Sequence, residues 1–92
     1  MHFTQEEAGN IRELLDRVIF SRTKKEAKPL VDQLNFKAAR LAGGDIDPYL
    51  VGKLREAINH AYEAAGQVSH KENQQMFCDQ SWHVFMRVFD EN

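Results

Sequence analysis

Apolar side chains fall at helical spacing along nearly the whole chain. Ile11, Leu14, Leu15 and Val18 recur at i, i+3, i+4 and i+7, one stripe of a helix. Ahead of them, Thr4-Gln5-Glu6-Glu7 has the form of a capping box, in which the threonine oxygen accepts a first-turn N–H and the glutamate reaches back. Together they predict a first helix over about residues 5–20. Leu30, Val31, Leu34, Ala38, Leu41 and Ala42 share a second face. Proline has no N–H to donate and is tolerated only in a first turn, so Pro29 places this helix over about 28–42. Thr23-Lys24-Lys25-Glu26 offers an earlier box, from which a short turn would kink into it. Gly43-Gly44 supplies its flexible end.

Asp47-Pro48 is the strongest start signal, a capping carboxylate followed by proline at the first helical position. Leu50, Val51, Leu54, Ala57, Ile58, Ala61 and Ala65 form the third stripe, over about 48–65, ending at Gly66. Ser69-His70-Lys71-Glu72 reads as a further box, opening a fourth helix over about 70–90. Strand-like alternation is weak, and no internal repeat or long linker breaks the chain. The pattern predicts an all-α fold, a small four-helix bundle with short connections, as one domain over residues 1–92.

Helix 4 carries more apolar surface than a bundle helix needs. At about 100° per residue, Phe77, Cys78, Trp82, Val84, Phe85, Met86, Val88 and Phe89 spread over roughly 200° of its circumference, about twice the minimum stripe of a surface helix. Either helix 4 is the central helix, packed by the other three, or part of this face meets another chain. Trp, Phe and Met are favoured in interface cores, so Trp82, Phe85, Met86 and Phe89 are the candidate interface residues. Phe36 is a second misfit. It lies far outside its helix's apolar stripe, with Arg40 one turn on, and a stacked Phe36–Arg40 pair would make a secondary anchor. Phe20, opposite its own stripe, is expected to fold back at the helix end. The alanines at 38, 42, 57, 61, 64 and 65 would let helices 2 and 3 approach closely. Gly9 and Gly52, on polar sides of their helices, would admit another backbone.

Composition changes the picture little. Of the 92 residues, 42% are hydrophobic and 28% charged, an ordinary globular balance. A net charge of −2 and a pI near 6.0 lack the basic excess of most nucleic-acid binders. The charge is uneven, with six Lys and Arg against two Asp and Glu over residues 21–40. Within that stretch Arg22, Lys24, Lys25 and Lys28 make a possible anion contact near a helix start, where free N–H groups already favour phosphate. A helix-turn-helix reading of helices 2 and 3 meets an obstacle, because Glu56 and Glu63 would face phosphates beside Lys53, Asn59 and His60. A single cysteine, Cys78, excludes an internal disulfide framework. The start of the chain lacks the basic and apolar regions of a signal peptide. No apolar run exceeds three residues, so the cytoplasm is the expected compartment and no membrane span is expected.

Chemistry finds little purchase. Asp79 and His83 are one turn apart, but Gln80 and Arg87 share their face, which reads as solvated. A metal site needs three or four converging ligands, and the spacings supply none. Cys78 sits in the apolar arc of helix 4, where burial would make it inert, with His60 the only candidate base. No phosphate loop or nucleophile motif is present. Neither enzymatic activity nor a cofactor is expected. The expectation is a non-enzymatic protein-interaction module (an adaptor, inhibitor or regulatory subunit) that self-associates as a homodimer through helix 4. The alternative is a nucleic-acid-associated regulator using residues 22–28.

Overall fold

The computed structural model describes residues 3–67 and 69–90. It has four α-helices in sequence: α1 (Gln5–Ile19), α2 (Lys24–Ala42), α3 (Pro48–Ala64) and α4 (Lys71–Phe85), the last running into a 3₁₀ turn at Met86–Phe89. Short turns reverse the chain between helices, giving the expected all-α four-helix bundle, 40 Å long and 20–22 Å across. The α1–α2 and α3–α4 turns meet at one end, where the Gly66 N–H donates to the Ser21 carbonyl at 3.3 Å. No described helix is long and apolar enough to cross a membrane.

The caps explain the boundaries. Thr4 Oγ1 accepts from the Glu7 N–H at 3.1 Å and opens α1. The Thr23 box also forms: Thr23 Oγ1 accepts from the Glu26 N–H at 3.1 Å, and Glu26 Oε2 accepts from the Arg22 N–H at 3.3 Å. Helix α2 therefore starts at Lys24 rather than at 28, and Pro29 lies inside it. The helix tolerates this because the hydrogen bond proline cannot make would have gone to the Lys25 carbonyl. Both residues are exposed, so water can take that carbonyl instead. Asp47 Oδ1 accepts from the Tyr49 N–H at 2.9 Å and starts α3 as expected. At α4 the expectation fails. The N-cap residue is His70, without a side-chain cap, and Ser69 precedes it, so the Ser69 box does not form.

The last turns also depart from the expected 70–90 helix. After Phe85 the backbone tightens into the 3₁₀ turn. Winding at about 120° per residue redirects Phe89 relative to a continued α-helix. Phe89 stacks on Phe3 at 5.5 Å and 17°.

Burial identifies the central helix as α3. It packs against α1, α2 and α4, and buries Leu50, Val51, Leu54, Ala57, Ile58, Ala61 and Ala64. Helix α4 packs chiefly along α3 and fully buries only Cys78 and Phe85. The reading of helix 4 as the hub is thus corrected. Its large side chains thicken one contact, whereas Ala57, Ala61 and Ala64 let neighbours close on α3 from several sides. A Cβ added at Gly9 or Gly52 would meet nothing within 4 Å, so no other described part of the chain uses the space beside them.

Candidate interaction surface

Of the residues expected at an interface, Phe85 is the one that the fold encloses, at one end of the molecule. Phe85 is fully buried. The Phe3 ring packs on it edge-on at 5.6 Å, and Trp82 lies tilted against it at 5.3 Å. Phe85 therefore presents nothing to a second chain. Trp82, Met86 and Phe89 are half-buried, with Trp82 under the Arg12 guanidinium at 6.0 Å and Phe89 under Phe3. This cluster joins the first and last elements of the fold. Phe3, the residue that covers it, precedes every periodic stripe, and nothing in the spacing announces its role.

Arg12 is the strap between α1 and α4. Its guanidinium Nη2 donates to Asp79 Oδ1 at 2.7 Å and lies 3.1 Å from Asp16 Oδ1. Partial burial works against its charge, but the Asp79 hydrogen bond and the Asp16 carboxylate outweigh that and raise its pKa. Asp79 thus serves α1 rather than His83.

The outward side of α4 remains open. Glu72, Gln75, Met76, Asp79, Gln80, His83 and Val84 line a broad, shallow depression of about 610 Å³ on it. Met76 is 48% exposed, and Phe77 at the edge of the arc is also exposed. Sequence reasoning misses Met76 because it lies outside the roughly 200° arc. The signal was an apolar residue nearly opposite Cys78 on the helical wheel.

Other expected surface residues divide. Phe36 is 65% exposed, pointing away from the bundle, and no ring contact joins it to Arg40. Arg40 and Lys37 instead line a groove of about 380 Å³ between α1 and α2, with Phe3, Ile11 and Leu41 at its floor. Phe20 does not fold back. It is 64% exposed, beneath the Lys71 ammonium at 5.1 Å.

The basic segment is partly committed within the chain. Lys24 Nζ donates to the Tyr62 carbonyl at 2.6 Å, sits 4.6 Å above the Tyr62 ring and lies 3.9 Å from Glu63. Lys28 pairs with Asp32 at 2.9 Å, and that hydrogen bond raises its pKa. Among the described residues, Arg22 and Lys25 are the members of the segment whose side chains make no ion pair.

Cys78 is fully buried, and burial pushes its thiol up to about 11. His60 faces other α4 residues: its Nδ1 lies 2.8 Å from Gln74 Oε1 and its ring 5.4 Å from Phe77. Among the described residues, no three His, Cys, Asp or Glu side chains gather as metal ligands would. Comparison with known proteins finds no matching family model, no matching curated protein and no matching solved structure.

Proposed function

We propose that this protein is a non-enzymatic interaction module, an adaptor, inhibitor or regulatory subunit, that self-associates through the open side of α4. One observation carries the reading: α4 has the widest apolar arc in the chain, yet it packs chiefly on a single helix. One neighbour cannot cover roughly 200° of a helix. The edges of the arc, Phe77 and Val84 on one side and Trp82 and Met86 on the other, therefore stay exposed or half-buried. Fully burying a large apolar side chain stabilises by about 1.5–3 kcal/mol, so covering even part of these edges gives a second chain an appreciable gain. The cytoplasm fits this reading, because Cys78 is an unpaired thiol.

The test is solution mass, by light scattering behind size exclusion at two concentrations. Self-association predicts twice 10.6 kDa, shifting toward the single-chain mass on dilution. A mass of 10.6 kDa at both concentrations would overturn it.

A further inference from the structure

The exposed stripe of α4 reads the same backwards with its charges inverted. Glu72, Met76 and His83 are all exposed and fall within about 40° of one another around α4, taken at about 100° per residue, and Arg87, exposed in the 3₁₀ turn that follows, lies roughly 80–100° from Glu72. Their spacings of four, seven and four residues are symmetric about the point between Asp79 and Gln80. One end is acidic and the other basic. Among the described residues, neither Glu72 nor Arg87 forms an ion pair within the chain.

We infer that two copies pair through α4 antiparallel, about a two-fold axis at residues 79–80, with Glu72 of each facing Arg87 of the other. This rests on the self-association reading and gives it an orientation and a register. In this register Met76 meets the second copy's His83 on both sides of the axis. A parallel pairing would set Glu72 against Glu72 and Arg87 against Arg87, so charge selects the antiparallel one. An acidic group near the axis would ordinarily oppose such pairing. Asp79 shares the Arg12 guanidinium, 2.7 Å away, with Asp16, which offsets part of that repulsion. The contact is isologous, as a closed dimer requires.

Charge reversal tests the register on the full chain. Glu72→Arg alone places arginine against Arg87 twice per dimer, and Arg87→Glu alone places glutamate against Glu72 twice. Each is expected to raise the dimer dissociation constant by about tenfold or more, since two attractive pairs become two repulsive ones. Mixing the two variants in equal amounts restores both pairs in a heterodimer, which is expected to assemble about as tightly as the wild type. A wild-type dimer indifferent to both single changes would overturn the register while leaving self-association standing. Weakening without recovery on mixing would overturn the antiparallel pairing. A monomeric wild type would overturn both readings together. A cysteine cross-link gives a second measurement that does not depend on charge. Oxidising a mixture of Met76→Cys and His83→Cys chains is expected to join one of each. Cross-linking of Met76→Cys with itself instead would place the axis elsewhere.

Discussion

Helices α3 and α4 lie side by side and are similar in length, 17 and 15 residues, yet they occupy opposite situations. Helix α3 buries seven residues against three neighbouring helices; α4 fully buries two, chiefly against one. Helix α4 nevertheless carries three aromatic residues, Phe77, Trp82 and Phe85, against two in α3, Tyr49 and Tyr62. Apolar content alone therefore does not decide which helix becomes the hub. Small side chains do: Ala57, Ala61 and Ala64 bring neighbouring backbones close, so Leu54 and Ile58 are enclosed from several directions. The bulky residues of α4 fill one deep contact and leave their edges uncovered.

The strongest way to break this contrast is paired truncation. Leu54→Ala removes a fully buried side chain from the middle of α3 and should cost about 2–5 kcal/mol through lost burial and the cavity left behind. Met76→Ala removes an exposed side chain of α4 and should change the stability of the isolated chain by less than about 0.5 kcal/mol. Urea titrations of both variants at a concentration below dimer formation make the comparison. Equal losses would show that α4 is enclosed as deeply as α3.

A smaller effect probes the buried strip of α4 through pH. Cys78 has its thiol pKa raised from 9.0 to about 11 by burial. Below pH 9 both folded and unfolded chains hold the proton, and stability is undiminished. Between 9 and about 11 the unfolded chain loses it first, so rising pH favours unfolding. The loss should reach about 2–3 kcal/mol above that window, from the difference between the two values. Other groups titrate there as well, so the measured quantity is the difference in slope between the wild type and Cys78→Ala. The wild type should fall more steeply. Parallel curves would mean that the thiol is no less solvated in the folded chain than in the unfolded one. For the same reason, iodoacetamide should label Cys78 slowly in the native protein and readily in urea.

The regular part of this architecture was legible in the sequence because helical periodicity and caps are local. Thr4, Asp47 and the stripes of α1 and α3 act through neighbours within a turn, and those elements appear within a residue of their expected bounds. Errors arose where exposure or a distant partner decided the outcome. At Pro29, the exposed position of the missing hydrogen bond allowed α2 to begin four residues early. At Phe85, burial depended on Phe3, far away in the chain, so one residue that looks like an interface in sequence closes the core instead. The open face of α4 was hidden for a related reason. Exposure depends on how many helices pack around an element, and periodicity reports only which side of it is apolar.

The joint between the two helices sharpens the comparison at the smallest scale, through two glycines with opposite constraints. Gly66 follows α3 with φ +75°, a backbone conformation that side chains with a Cβ rarely adopt. A Cβ there would lie 3.4 Å from the Arg22 carbonyl, in the turn that receives the Gly66 N–H. Gly52 lies within α3 with nothing inside 4 Å of the same position. Gly66→Ala should therefore cost about 1–2 kcal/mol, whereas Gly52→Ala should stabilise by roughly 0.5–1 kcal/mol through a less flexible unfolded chain. The check is the urea midpoint at unchanged slope, which should fall for Gly66→Ala and rise for Gly52→Ala. A stabilised Gly66→Ala would mean that the turn can abandon its left-handed backbone. The end of α3 would then not be tied to the α1–α2 turn, and α4 would be free to leave α3 without disturbing the three helices behind it.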